Sequence, residues 1–399
     1  MTLRISTAGL HAQGLQGLLL QQQRVARTQQ ELVTNTKLLR GADNPSAMAE
    51  SQRLDHALAT LDQHGKNAGL LEHRLRSQEQ AYADVGSQLN RARVLAVQAN
   101  SAALTDTDRK SIAAELRVIR SEVLAVANRD DGAGRRLFAG SRDGVMPFAD
   151  NGRSVGYAGD DGRNLVEVAP DLSLADTDAG SDAFMRVRTG DGIARGLAAA
   201  ANTGSGVLQA SAVTDNAAWA GRSLRVEFTA PDAYRVLDAS GAVMASGAYT
   251  PNTTINAAGI QVTLTGAPAT GDSFSVERAP TQDVFATLQN LADALDAPVG
   301  SPAEQARRSN ALGAALTNIG SAQDHMLNLR AGTGSRLASL DNATDSRSAG
   351  DVSLQTTLSQ LRDVDYAQAA SRLAQQLTAL EAAQKTMLRV QTLSLFDSL

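Results

Sequence analysis

The sequence predicts a mainly α-helical chain with an inserted all-β domain. Apolar residues recur every seven positions near both ends of the 399-residue chain, and every second position in its middle. The longer repeat is typical of coiled-coil helices, and the shorter one of half-buried strands. We therefore expect long antiparallel helices, forming a terminal coiled coil and a helix bundle, with a small antiparallel β domain at the far end.

The first helix is predicted over residues 3–40, which contain no proline. The seven-residue series predicted to form its seam is Leu18, Val25, Leu32 and Leu39. A neighbouring series widens this stripe: Leu19, Ala26 and Val33. The helix should end within Gly41–Pro45, because glycine, aspartate and asparagine favour turns and the residue before proline disfavours helical geometry.

Two more helices are predicted before the pattern changes. Residues 46–100 carry another strict seven-residue series: Leu54, Leu61, Ala68, Leu75, Tyr82 and Leu89. A third helix should begin near Thr105, which with Asp108 resembles a capping box. Its apolar residues then alternate by four and three, as in a packed bundle helix.

The region from about Phe138 to Ala279 is predicted to be a set of short antiparallel strands. Apolar and polar residues alternate there, as in Leu224, Val226 and Phe228, and glycine-containing turns separate the runs. One short helix is expected to interrupt the strands near Ile193–Asn202.

Helical spacing returns at Val284, and a long helix follows Pro302, with an interruption expected near Gly350. The C-terminal helix repeats the seven-residue pattern. Its predicted seam residues are Tyr366, Leu373, Leu380 and Met387 at one position, Ala370, Leu377 and Gln384 at the other, and Phe396 near the end.

These elements divide the chain into five predicted domains. They are an N-terminal coiled-coil helix (1–42), half of a helix bundle (43–140), an outward-facing β domain (141–280), the other half of the bundle (281–357) and a C-terminal coiled-coil helix (358–399). Both termini should therefore lie at one pole and the β domain at the other.

Composition argues against several classes of protein. The net charge is −5 and cysteine is absent, so neither a basic nucleic-acid surface nor thiol or disulfide chemistry is expected. No apolar stretch is long enough to span a membrane, and the N-terminus lacks the pattern of a cleavable signal.

The search for catalytic and metal-binding motifs predicts no enzyme and no cofactor. The G-x-S-x-G pattern of residues 152–156 lacks the strand-to-helix setting of a nucleophile elbow, so we interpret it as a β-turn. The segment Asp176–Asp182 lacks the spacing of a calcium loop, so an acidic solvated loop is expected there. We therefore predict no catalytic, cofactor-binding or metal-ligating residue.

Several segments resemble the hook-associated branch of the flagellin superfamily. The chain opens with Arg4-Ile5-Ser6, and Lys37, Asp43 and Pro45 match the turn that follows the first helix. Phe138 and Gly140 lie in a segment that resembles the entry to the family's outer domain, and residues 358–397 resemble the C-terminal ending of this branch.

The resemblance implies a structural subunit of the bacterial flagellum, at the junction between hook and filament, that is required for filament attachment and motility. It implies partners as well: other copies of the chain in a ring-like homo-oligomer, the adjacent hook-associated junction protein, flagellin and a cytoplasmic export chaperone. It implies an extracellular location at the distal end of the hook, reached by type III export without a cleaved signal peptide. Neither nucleic acid nor membrane is expected as a partner.

Three alternatives remain open at this stage. Flagellin itself is disfavoured by the insertion at Phe138–Ala279 and by the Ser394-Leu395-Phe396 ending. An adhesin on a coiled-coil stalk would carry a signal or an anchor. A secreted hydrolase would need a convergent acid/base or metal set in the β domain.

Overall fold

The computed structural model describes residues 7–101, 103–152, 154–297 and 299–396. The chain packs as two compact units, which we name the terminal unit (residues 1–66 and 343–399) and the central unit (residues 67–342). The helices are α1 (Thr7–Thr34), α2 (Pro45–Ala99), α3 (Asp106–Ala127), α4 (Asn216–Trp219), α5 (Val284–Asp296), α6 (Pro302–Arg362) and α7 (Tyr366–Phe396). The predicted fold class, mainly helical with an antiparallel β insertion, is confirmed.

Capping residues and residues with left-handed backbone geometry account for the helix boundaries described here. The hydroxyl of Thr105 accepts from the backbone amide of Asp108, whose carboxylate accepts from the amide of Thr105, so the predicted capping box is present. The first helix ends at Thr34, earlier than predicted, because Asn35 has a left-handed φ of 57°. The interruption expected near Gly350 is wrong: α6 runs through it to Arg362. A single glycine costs a helix only about 1 kcal/mol.

All strand pairs in the described part of the chain are antiparallel. The strands are β1 (Phe148–Asp150), β2 (Val155–Tyr157), β3 (Leu165–Ala169), β4 (Leu172–Ala175), β5 (Val187–Arg188), β6 (Ala194–Ala198), β7 (Val207–Val213), β8 (Leu224–Ala230), β9 (Ala233–Asp238), β10 (Val243–Ala248), β11 (Thr254–Ala257), β12 (Ile260–Thr265), β13 (Ser273–Arg278) and β14 (Thr281–Gln282). A single π-helical turn spans Ser181–Met185.

The short helix expected near Ile193–Asn202 is wrong, since most of this segment forms β6. Each residue of β6 pairs with one of β13, from Ala194 opposite Arg278 to Ala198 opposite Phe274. Alanine favours helices when a segment is isolated, but tertiary pairing overrides this weak preference.

The central unit contains two separate apolar cores. One lies between a five-stranded sheet, in the order β10-β9-β8-β13-β6, and a three-stranded sheet, in the order β11-β12-β7. We call residues 194–278 the β sandwich. Its core includes Phe228, Phe274 and Trp219, which confirms the predicted alternation in β8: Leu224, Val226 and Phe228 are all buried.

The second core joins helices α2, α3, α5 and α6 to the segment that precedes the β sandwich. The rings of Phe138, Phe148 and Phe285 surround Phe184, with centroids 5.0, 5.4 and 6.1 Å from its ring. The buried residues of α2 in this core include Tyr82 and Leu89 of the predicted seven-residue series. Residues 138–157 and 183–187 therefore contribute side chains to the helical core.

This division predicts which part of the insertion can be removed. Residues 194–278 should be replaceable by a short Gly/Ser linker, because Ala194 and Arg278 are paired neighbours and the amide of Ala279 donates to Ile193 O at 2.9 Å. We expect the helical circular-dichroism signal per helical residue to be retained in this deletion.

The matched control is the larger deletion of residues 141–280, the whole β domain predicted from the sequence. It also removes Phe148 and Phe184, each of which is fully buried. Losing a buried phenylalanine costs about 3–5 kcal/mol, so this variant should lose cooperative unfolding. A collapse of the helical signal in the smaller deletion would show that the β sandwich is integral to the core.

Candidate assembly interface

Helices α1 and α7 pack against each other as an antiparallel pair within the terminal unit. Their contacting positions alternate by three and four residues, which is the spacing of a coiled-coil seam. In α1 these half-buried or buried positions are Leu18, Gln21, Val25, Thr28 and Leu32. In α7 they are Ala369, Leu373, Gln376, Leu380, Ala383 and Met387.

The seam residues predicted from the sequence do not all lie in the same setting. Six of them lie in this intramolecular seam: Leu18, Val25, Leu32, Leu373, Leu380 and Met387. Leu39 is half-buried in the loop after α1, and the side chain of Phe396 lies outside the described residues. Tyr366 and Leu377 are 58% and 44% exposed. The second heptad position of α7 is thus occupied by Ala369, Gln376 and Ala383. The predicted residues, Ala370, Leu377 and Gln384, each lie one position later and are exposed.

A polar layer crosses the middle of the seam. Gln21 Nε2 donates to the backbone oxygen of Gln376 at 3.1 Å, and the hydroxyl of Thr28 donates to Gln376 Oε1 at 2.9 Å. Thr28 is only 2% exposed. Polar groups buried in a coiled-coil seam favour one register over its alternatives, because a shifted register leaves them unpaired.

A chain of charges connects this seam to the loop after α1. The carboxylate of Glu31 is 7% exposed and lies 3.2 Å from Arg27 Nε and 3.6 Å from Arg372 Nη1. The same Arg27 contacts Asp43 through Nη2 at 3.1 Å. Asp43 is a family-motif position, and its structural role is to connect the loop to both helices.

The loop after α1 packs on the break between α6 and α7. The amide of Lys37 donates to Arg362 O at 2.8 Å, and its ammonium donates to Gln360 O. These carbonyls belong to the last turn of α6 and have no partner within their own helix. A cation at a helix C-terminus is also favoured by the helix dipole. Lys37 therefore caps α6.

Asparagines at the two ends of this loop end α1 and begin α2, the second of them beside the motif position Pro45. Asn35 adopts the left-handed conformation, where asparagine is tolerated better than most residues. Asn44 Oδ1 accepts from the amide of Ala47 at 3.1 Å, so Asn44 caps α2 and Pro45 takes the first helical position. Arg4, Ile5 and Ser6 lie outside the described residues.

Apolar side chains also cover the flanks of both terminal helices. On α1, Leu15 and Leu19 are each 49% exposed, and Val33 is 86% exposed. On α7, the exposed flank includes Tyr366 and Leu377. Large apolar side chains exposed together on one element are candidates for an interaction site. Helices α1 and α7 thus bury one row of side chains against each other and leave other apolar side chains exposed on their flanks.

The motif positions Phe138 and Gly140 lie in the central unit. Phe138 is fully buried against Tyr82 and Phe184. Gly140 has a φ of 69°, and a Cβ there would lie 2.2 Å from the backbone oxygen of Asp160, so only glycine fits. The next residue, Ser141, donates its amide and hydroxyl to the Asp160 carboxylate, at 2.7 and 2.6 Å.

The acidic segment that begins at Asp176 is not a solvated loop, contrary to the sequence-based expectation. Asp176 and Asp178 are 1% and 6% exposed. Asp176 lies 3.0 Å from Arg74 Nε, and Asp178 lies 2.7 Å from Arg336 Nη2. These arginines are distant in the sequence and compensate the buried charges, which the local pattern could not reveal.

The described residues contain no group of three or more histidine, aspartate and glutamate side chains placed to hold a metal ion. Gly152 and Ser154, from the G-x-S-x-G pattern, lie in the turn between β1 and β2. Among the described helices, none combines the length and apolarity that crossing a membrane requires. The feature described above that stands out is the packed pair of α1 and α7 with its exposed apolar flanks.

Comparison with known proteins gives matches at both helical ends. Residues 5–143 match the family described as the bacterial flagellin N-terminal helical region, and residues 316–399 match the bacterial flagellin C-terminal helical region. The flagellar hook-associated protein 3 of Escherichia coli (strain K12) is 27% identical over 157 residues, or 39% of this chain and 50% of that protein. The match therefore spans only half the length of that curated relative.

Two solved structures are similar over most of the chain. The crystal structure of FlgL from Xanthomonas campestris is 41% identical, covers 77% of this chain and 99% of that one, and has a TM-score of 0.73. The crystal structure of flagellar hook-associated protein-3 from Legionella pneumophila is 25% identical, covers 78% and 98%, and has a TM-score of 0.74.

Proposed function

This chain belongs to the flagellar hook-associated protein 3 (FlgL) family of the flagellin superfamily, and we propose that it is a structural subunit of the junction between hook and filament. Its role is to attach the filament, and it performs no catalysis. The observation that carries this proposal is the α1–α7 pair, which fills one heptad seam and leaves exposed apolar flanks on both helices.

The exposed flanks support assembly with other copies of the chain. A subunit lattice needs a second contact surface on each terminal helix, and Leu19 with Val33 on α1 and Leu377 on α7 supply apolar area for it. The polar layer at Gln376 fixes the register of the pair before it meets a neighbour. The predicted ring-like oligomer rests on these features.

The other partners follow from the family. We propose contacts with the adjacent hook-associated junction protein on one side and with flagellin on the other, and a cytoplasmic chaperone that binds the chain before export. Export proceeds through the flagellar type III apparatus to the distal end of the hook. The absence of cysteine is compatible with passage as an unfolded chain, since no disulfide has to be reduced first.

Deleting the gene in its host tests this function. We expect cells that build hooks without filaments and release flagellin into the medium, because filament subunits would find no junction to attach to. If the chain were itself the main filament protein, the medium would contain no flagellin. If it were an adhesin or a hydrolase, filaments would be normal, and either result would overturn the proposal.

A further inference from the structure

Two arginines are buried side by side in the central unit. Arg109 on α3 is 6% exposed, and the side chain of Arg308 on α6 is 9% exposed. The carboxylate of Asp106 lies between them, with Oδ1 at 3.4 Å from Arg109 Nη1 and 3.7 Å from Arg308 Nη1. That carboxylate is 61% exposed. Two buried positive charges thus share one negative charge at the surface.

The hydrogen bonds of the pair are incomplete. Arg109 Nη2 donates to Ser101 O at 3.0 Å, but its Nε is buried without an acceptor. The guanidinium of Arg308 donates no hydrogen bond to any of the residues that the structure describes, and its Nη1 is buried. A guanidinium carries five N–H donors, and leaving a buried charged donor unpaired is costly. Unsatisfied buried groups of this kind often mark the place of an ion or water.

Nearby carboxylates do not complete the site, because they are engaged elsewhere. Asp108 accepts from the amide of Thr105 at 3.0 Å in the capping box of α3. Glu304 Oε2 accepts from the amide of Gly300 at 2.7 Å, just before α6. Burial and the neighbouring charge of Arg109 lower the pKa of Arg308, and Asp106 only partly opposes them.

We propose that Arg109 and Arg308 form a binding site for a tetrahedral oxyanion of the phosphate or sulfate class. A dianion balances both positive charges, whereas Asp106 supplies only one negative charge through a single bridging oxygen. Several anion oxygens can each accept from the unused N–H groups of both guanidinium groups. Because Asp106 is more exposed than either arginine, the anion enters by displacing its carboxylate.

The test uses the full-length chain and inorganic phosphate, compared with chloride at equal pH and ionic strength. Titration calorimetry should detect one saturable phosphate site per chain. The midpoint of thermal unfolding should rise by roughly 1–2 °C at a few times the dissociation constant. Sulfate should act similarly, and acetate should bind at least tenfold more weakly.

Variants separate this site from general salt effects. Arg308→Gln should abolish saturable binding, whereas Arg307→Gln, at the exposed neighbouring residue, should retain it. Phosphate also stabilises proteins by exclusion from their surface, and that contribution is the same in both variants. Asp106→Asn should tighten phosphate binding by roughly fivefold or more, because it removes a carboxylate that repels the anion.

Three results would overturn the proposal. Unchanged phosphate affinity in either Arg308→Gln or Asp106→Asn would indicate an adventitious ion only. Acetate binding as tight as phosphate would indicate a carboxylate site. An absence of saturable binding would show that the pair holds no oxyanion. Asp106→Asn leaves both arginines in place, so it remains decisive even if Arg308→Gln does not fold.

Discussion

Replacing Arg74 with methionine should lower the free energy of unfolding of the central unit by about 3–5 kcal/mol, because removing one member of a buried ion pair leaves its partner charged and unpaired. Arg74 is 4% exposed, and its Nη1 and Nε lie 2.5 Å from Asp131 and 3.0 Å from Asp176. The variant leaves two buried carboxylates without this cation. Chemical denaturation followed by circular dichroism measures the loss.

Arg76 provides the matched control two residues away. Its side chain is 69% exposed and pairs with Glu72 one turn earlier in α2. Exposed pairs of this kind contribute about 0.3–0.5 kcal/mol, so Arg76→Met should change stability by no more than that. Equal effects of the two substitutions would show that the buried network is not a major source of stability.

The buried network also predicts a dependence on pH. Burial acts to raise the pKa of Asp131, but hydrogen bonds from the amides of Ala133 and Arg135 and from Arg74 hold it below its usual range. A carboxyl group with a lowered pKa stabilises the fold above the unfolded-state value of about 3.9 and loses this effect as the pH falls. The stability difference between wild type and Arg74→Met should therefore narrow below about pH 4.

Replacing Leu380 with aspartate should abolish stable incorporation into the flagellum. Leu380 is half-buried in the seam between α1 and α7. An unpaired carboxylate in a packed apolar seam costs several kcal/mol, and each ~1.4 kcal/mol lowers an equilibrium tenfold. We expect the variant to reach the medium but to support few filaments. Complementation of a strain that lacks the chain, scored by filament number, measures this.

Leu380→Met is the control for this substitution, since a volume-conserving change in a core usually costs less than about 1.5 kcal/mol. It should restore filaments nearly as well as the wild type. Normal filaments with Leu380→Asp would show that the packed seam between α1 and α7 is not needed for incorporation into the flagellum. A failure of the aspartate variant to leave the cell would instead assign this helix a role in export.

The features that the sequence predicts correctly are those that depend on residues close together in the chain. The capping box at Thr105 involves residues three apart, and it is present as predicted. The seven-residue series of α2 is likewise reflected in burial, with Leu75, Tyr82 and Leu89 completely inaccessible. Capping and periodic burial each depend on residues within a few turns, so a linear pattern contains enough information to predict them.

The contacts that the sequence does not predict are those between residues far apart in the chain. Arg74 meets Asp131, 57 residues away, and no spacing rule relates such positions. In α7 the apolar Leu377 was the natural choice for the second heptad position. Gln376 takes it instead, because Gln21 and Thr28 on α1 provide hydrogen bonds there. The side chains that α1 presents to α7 therefore determine that Gln376, and not Leu377, lies in the seam.

Gold labelling of this chain on isolated intact flagella tests the central claim most directly. Antibodies against the β sandwich, viewed by electron microscopy, should mark a single band at the boundary between hook and filament. The same antibodies should leave the filament shaft unlabelled. Label along the whole filament, or none on the flagellum, would contradict the assignment of this chain to the junction.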